Sequence, residues 1–184
     1  MHGGRKLSAP PGAQTRPTSD RVREAFFSSL DSMTTLSGAR FADLYAGSGA
    51  VGLEALSRGA TSALLVESDA RAARIIRENI VTLRCDAQAR LLTSGVEQVV
   101  SLPPEGGPFD VVFADPPYAL GDDEVTALQQ ALVTNRWLTE DAVVILERST
   151  RTAVRGTPMH WVDGITADRS RRYGETTLWY GRRS

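Results

Sequence analysis

Apolar residues along this chain follow two alternating patterns. Short, nearly continuous apolar runs at 40–45, 63–67, 89–92, 109–114 and 142–147 predict buried strands. Helical spacing fills the intervals. Val22, Phe26, Phe27 and Leu30 share one face of a helix predicted over 20–30, with Thr18 or Ser19 as its cap. Further helices are predicted at 51–57, closed by Gly59; at 69–83, with Ala72, Ala73, Ile76, Ile80 and Leu83 inward; at 97–102; and at 124–133. Residues 159–165 and 176–180 read as two final strands paired antiparallel. The Gly- and Pro-rich stretch 1–17 reads as an arm, and 103–108 as a loop. Continuously apolar strands alternating with helices define an α/β fold: a mostly parallel twisted sheet, helices on both faces, and an antiparallel C-terminal pair. Ligands in such folds bind beyond the carboxyl ends of the strands. The expected organisation is an arm and helix over 1–30 and one domain over 31–184.

Composition narrows the chemistry. Of 184 residues, one is cysteine (Cys85) and two are histidine, which leaves no disulfide framework and no cysteine- or histidine-rich metal site, so no metal is expected. Apolar runs fall short of the roughly 20 residues that span a bilayer. The first residues carry basic side chains without an apolar stretch behind them, unlike a secretory signal. A cytoplasmic protein with no membrane partner, acting as a monomer, is the expectation. Net charge is −1, but unevenly spread. Residues 1–23 hold five basic residues (Arg5, Lys6, Arg16, Arg21, Arg23) against Asp20, and 148–184 hold eight arginines against Asp163, Asp168 and Glu175. Basic ends around an acidic centre suit a polyanion gripped by the termini, with Arg171 and Arg172 as further contacts; solvated surface arginine is the competing explanation. All the basic residues except Lys6 are arginine, which suits phosphate contact and base stacking.

Asp43-Leu44-Tyr45-Ala46-Gly47-Ser48-Gly49-Ala50-Val51-Gly52 places a G-x-G-x-x-G between a strand and a helix. Glu67, at the end of the next strand, is placed to accept hydrogen bonds from ribose hydroxyls of an adenosine moiety. A nicotinamide-binding turn shows the same pattern. Asp43 argues otherwise, because a carboxylate just before the glycines repels a pyrophosphate and suits a cationic ligand bearing an amino group and a sulfonium. Ser94 and Gly95, after the third strand, are positioned to meet the adenine.

Asp115-Pro116-Pro117-Tyr118 ends the fourth strand. Prolines fix the backbone and lack N–H groups, so carbonyls point outward unpaired. A base amine has two N–H donors and a lone pair drawn into the ring. Asp115 accepts one hydrogen and the Pro116 carbonyl the other, which aims the lone pair at a methyl group. Tyr118 offers a ring for stacking, and the base must leave its helix or be unpaired already. A plain strand-ending turn is the blander explanation.

These residues resemble the Rossmann-like class I methyltransferases. They are most similar to the bacterial guanine-N2 methyltransferases of small-subunit (16S) ribosomal RNA, the RsmD-like family. The resemblance rests on Arg16-Pro17-Thr18 with Asp20-Arg21-Val22-Arg23-Glu24, on the run from Asp43 to Ala60, on Asp115-Pro116-Pro117-Tyr118, and on Arg172-Tyr173-Gly174. It implies S-adenosylmethionine held by Asp43, Tyr45, Gly47, Gly49 and Glu67, and a target guanine held by residues 115–118. It also implies ribosomal RNA or the small ribosomal subunit as partner, gripped partly by residues 1–30, with 31–184 as the methyltransferase domain. Members carry an Arg-Ile-Ile-like stretch before the Gly-Gly-Arg-Lys element, at which this chain almost begins, and Phe where Tyr45 stands.

Other functions share parts of this pattern. A DNA adenine-N6 or cytosine-N4 methyltransferase uses the same motif chemistry but usually adds a recognition domain. A nicotinamide oxidoreductase leaves the Asp-Pro-Pro-Tyr motif unexplained. A non-catalytic RNA-binding module would keep the basic ends. Cys85 reads as structural rather than nucleophilic, Glu147 as near the site or as an arginine's partner, and Trp137, Trp161 and Trp179 as packing.

Overall fold

The computed structural model describes residues 17–150 and 158–184. The elements are α1 (Pro17–Asp31), β1 (Arg40–Leu44), α2 (Ala50–Ser57), β2 (Ser62–Val66), α3 (Ala70–Leu83), β3 (Ala89–Leu92), α4 (Val96–Val100), β4 (Phe109–Ala114), α5 (Asp122–Thr134), β5 (Leu138–Ser149), β6 (Ile165–Tyr173) and β7 (Thr176–Arg183). The seven strands form one sheet in the order β3-β2-β1-β4-β5-β7-β6. β1 to β5 are mutually parallel, β7 runs antiparallel to β5, and β6 antiparallel to β7. This is the expected mixed sheet of the Rossmann-like class I methyltransferase fold.

Successive side chains of a strand point to opposite faces, so each inner strand feeds two cores. Phe41, Val111, Phe113, Val143 and Ile145 meet Phe26, Phe27 and Leu30 of α1 on one face. Ala42, Leu44, Val112, Ala114, Val144 and Leu146 meet Val96 and Val100 of α4 and Val125, Leu128 and Leu132 of α5 on the other. Burying each α1 anchor contributes about 1.5–3 kcal/mol, so α1 is held firmly. Its direction is fixed at its end, where Arg182 donates to the Met33 carbonyl at 2.7 Å and Arg58 pairs with Asp31 at 3.7 Å. Arg182 pairs in register with Val143, early in the parallel stretch of β5. The first turn of α1 therefore lies towards the carboxyl edge of the parallel strands.

Two expectations need correction. The penultimate strand spans Ile165–Tyr173 and not 159–165. The apolar Met159, Trp161 and Val162 instead cover the α5 face of the core without joining the ladder. The true strand is an edge strand, mostly exposed, so it lacks the apolar rhythm that marks an inner strand. The fifth strand is twice as long as the predicted 142–147 core, because polar residues extend it at both ends: Thr139, Glu140 and Asp141 towards Leu138, and the buried Arg148 and Ser149 paired with β7. Among the described residues no helix is long and apolar enough to cross a membrane.

Candidate active site

The chain leaves β1 for β2 and β3 on one side, then returns to place β4 on the other side of β1. This reversal opens a crevice at the carboxyl ends of β1 and β4, where open α/β sheets bind ligands. Register aligns Leu44 with Ala114, so Asp43 and Asp115 flank the crevice from adjacent strands.

Asp43 is almost wholly buried, and its Oδ2 accepts the Gly52 N–H at 2.9 Å. Burial pushes its carboxyl up to about 7; the Gly52 bond opposes this, and the charges of Asp115 and Glu67 add to it. The turn between β1 and α2 requires glycine at Gly49. Its φ is 79°, and a Cβ there would lie 2.9 Å from Leu65 Cδ2. At Gly47 a Cβ would meet nothing within 4 Å, so the turn faces open space. Tyr45 also takes a left-handed conformation, φ 64°, and its half-buried ring packs on the α4–α5 face. Burial, then the charges of Glu97 and Glu124, push its hydroxyl up to about 12.

Glu67 follows β2 directly. One oxygen accepts the Gly47 N–H and the other the Asp69 N–H, each at 2.8 Å. Each oxygen keeps a further lone pair for a ligand hydroxyl. Ser94 and Gly95 stand two and three residues past Leu92, whose carbonyl accepts the Glu67 N–H at 3.1 Å, so they share this edge. Ser94 Oγ bonds Gln98 at 2.9 Å. The residues fit an adenosine-bearing cation: acidic groups surround the open turn, and burial leaves the Asp43 charge in need of a positive partner. Among the described residues no group of histidines, cysteines and carboxylates suits a metal ion.

Pro116 is buried while Asp115, Pro117 and Tyr118 are exposed, Tyr118 to 73%. The Pro117 carbonyl accepts the Leu120 N–H at 2.9 Å, closing a turn that presents Tyr118 outward. Among the described residues nothing donates to the Pro116 carbonyl. Partial desolvation by the flanking strand ends raises the Asp115 carboxyl, although one side of the residue stays open to solvent.

The proposed RNA contacts divide. Arg5, Lys6 and Arg16 lie outside the described residues. Arg21 is exposed in the first half of α1. Arg23 is half-buried and pairs with Asp20 at 3.0 Å and Glu54 at 2.6 Å, so its charge is already answered. Arg171 and Arg172 are exposed near the end of β6. Tyr173 and Ser149 both pair with Thr176, which brings that end beside the carboxyl end of β5.

Two residues had escaped notice. Buried Asn79 of α3 donates to the Ser48 carbonyl at 3.1 Å and pins the glycine turn. Its signal was a polar residue on the inward face beside Ile76 and Ile80. Arg148, 9% exposed, donates to the Leu120 carbonyl and to Asp122, both at 3.0 Å, and clasps the turn behind Tyr118. Nothing local in the sequence marks it. Trp137 is core, stacked on Phe109 at 5.4 Å with its Nε1 bonded to the Leu102 carbonyl. A groove of about 730 Å³ among Leu64, Leu91, Leu102, Phe109 and Trp137 contains none of the site residues.

Fold and crevice together define a class I methyltransferase architecture. Residues 1–182 match the family described as "Conserved hypothetical protein 95", and the chain belongs to that family. It is 37% identical over 158 residues to the ribosomal RNA small subunit methyltransferase D of Escherichia coli, covering 86% of this chain and 76% of that one. The solved structure of yhhF from Escherichia coli superposes with a TM-score of 0.83 at 31% identity, covering 98% of this chain and 93% of the other. The SAM-bound magnesium protoporphyrin IX methyltransferase from Synechocystis shares the fold at a TM-score of 0.70 and 15% identity, covering 100% and 88%.

Proposed function

We propose that this protein transfers a methyl group from S-adenosylmethionine to the exocyclic N2 amine of a guanine in small-subunit ribosomal RNA. The observation that carries this reading is the Asp115–Tyr118 segment standing at the strand-order reversal, beside Asp43 and the glycine turn. When bound, S-adenosylmethionine supplies an electrophilic methyl carbon, displaced from sulfur by an attacking nitrogen. Asp43, the turn at Gly47 and Gly49, and Glu67 bind that donor, with Ser94 and Gly95 against its base. Tyr118 stacks on the target guanine. Asp115 and the Pro116 carbonyl accept its two N2 hydrogens, which turns the nitrogen lone pair towards the methyl group. The Asp115 charge then stabilises positive charge growing on N2, and the surplus proton leaves to solvent. Arg21, Arg171 and Arg172 contact phosphates, together with the basic residues of the arm. The similarity to ribosomal RNA small subunit methyltransferase D supports the substrate class.

The test is incubation with labelled S-adenosylmethionine and small ribosomal subunits from cells lacking the enzyme, with free RNA and duplex DNA alongside. Mass spectrometry of the digested nucleosides should find N2-methylguanosine in the RNA. Label in DNA, or in no nucleic acid despite measured cofactor binding, overturns the assignment.

A further inference from the structure

β4 and β5 place a second carboxylate beside Asp115. Ala114 pairs in register with Leu146, so Asp115 and Glu147 each follow one step later on neighbouring strands, about 4.8 Å apart. Phe113 and Ile145 belong to the α1-facing core, and alternation puts Asp115 and Glu147 on that same face. Glu147 is half-buried, and among the described residues no hydrogen bond or ion pair engages its carboxyl. Arg148, the adjacent residue, points to the opposite face, towards Leu120 and Asp122. Arg171 aligns with Leu178, the register partner of Glu147, and so stands two strands away. Burial, then the charge of Asp115, raise the Glu147 carboxyl, as expected of two uncompensated acids side by side.

A ligand edge presenting adjacent N–H donors relieves that strain. In guanine the N2 amine lies between N1–H, a donor, and the bare N3, so one of its edges presents adjacent N–H donors. In adenine and cytosine the exocyclic amine is flanked by a ring nitrogen whose lone pair faces outward. Ionised beside guanine, a carboxyl next to Asp115 accepts from N1–H, whereas the bare ring nitrogen of adenine or cytosine offers an ionised carboxylate no donor. We propose that Glu147 is the specificity-determining residue of this site, accepting guanine N1–H while Asp115 and the Pro116 carbonyl hold the N2 amine. A site built to bond one polar group rejects an analogue lacking it far more strongly than a shape-based pocket does. This inference rests on the guanine-N2 reading above and explains how that base is chosen.

The test compares guanine with 2-aminopurine at the mapped target nucleotide of reconstituted small subunits. 2-Aminopurine keeps the C2 amine but has a bare N1. Wild type should prefer guanine in kcat/KM. Glu147→Gln, whose amide can turn to accept or donate, should cut that preference by about tenfold or more, as the loss of a specific base contact does. Glu147→Asp, which keeps the acceptor, should lower the rate on guanine but retain the preference. S-adenosylmethionine affinity, measured by calorimetry, should stay near wild type in both and reports correct folding. A wild type indifferent to the two bases, or an unchanged preference in Glu147→Gln, overturns the role of Glu147 and leaves the guanine-N2 reading standing. Absence of any N2-methylguanosine from wild type overturns that reading and this inference with it.

Discussion

The Oδ2 atom of Asp43 accepts the backbone N–H of Gly52 at 2.9 Å, tying the last turn of β1 to the first turn of α2 across the glycine turn. The carboxyl stays buried beneath the crevice with its other oxygen available to a ligand. Its folded-state pKa, about 7, lies above the ordinary 3.8. The folded protein thus binds this proton more tightly than the unfolded chain does. The associated stability is present below about pH 4 and is lost as pH rises through about 7. Thermal melts of ligand-free Asp43→Asn should therefore show a growing advantage over wild type between pH 4 and 8. The same variant should lose affinity for S-adenosylmethionine, because an amide offers no charge to a cation.

Asp115→Ala should lower kcat by about 10²–10³-fold, the usual cost of removing one electrostatic partner of a transition state. Binding of S-adenosylmethionine should change little, since Asp43, Glu67 and the glycine turn remain. Single-turnover rates set against calorimetric affinities check this, and equal activity of the variant would sink the proposed mechanism.

Gly49→Ala should destabilise the fold by about 1–3 kcal/mol. An alanine there is held in the left-handed region at φ 79°, and its Cβ would lie 2.9 Å from Leu65 Cδ2. Urea unfolding measures the loss. Gly47→Ala also carries a positive φ, but its Cβ meets nothing, so it should cost less stability while crowding the cofactor space.

Arg148→Met should free the turn that presents Tyr118. Asp122 is largely exposed and needs no partner, so the stability cost comes mainly from the Leu120 carbonyl, about 1 kcal/mol. The larger effect should be a raised KM for RNA at near-normal cofactor affinity, because the Tyr118 ring is no longer held in place. Steady-state kinetics with Tyr118→Ala alongside should show the two variants failing at the same step.

Asn79→Leu removes the bond that pins the Ser48 carbonyl beneath the glycine turn. The leucine suits the apolar face of α3, so the melting temperature should hold or rise, while S-adenosylmethionine affinity falls. A variant with unchanged affinity would mean that Gly47 and Gly49 hold the turn without help.

Inner elements were legible because burial on both sides writes itself into local pattern. The 109–114 run and the Ile76–Ile80 face of α3 are examples, and the structure places them as read. The edge strand β6 was misread because an exposed strand bearing Asp168, Arg169, Arg171 and Arg172 has no apolar rhythm to detect. Asp43, the glycines, Glu67 and Asp115–Tyr118, which the structure gathers around one crevice, stood out in the sequence through residue types that suit tight turns and charged ligands. Glu147 was read only as near the site or as an arginine's partner, and Arg148 not at all, because their surroundings depend on which strand lies beside which.

By itself, the sequence determined the alternation of strands and helices, the glycine turn and the motif that ends β4, since each is governed by interactions within a few residues. Only the tertiary structure decided the strand order, and with it the pairing of Asp115 with Glu147 and the return of Arg171 and Arg172 to the carboxyl edge. Apart from the β6–β7 hairpin, those relationships arise from pairings between residues 22 or more positions apart, as between Arg40 and Ser62, which the burial of shared apolar faces selects and no local pattern encodes.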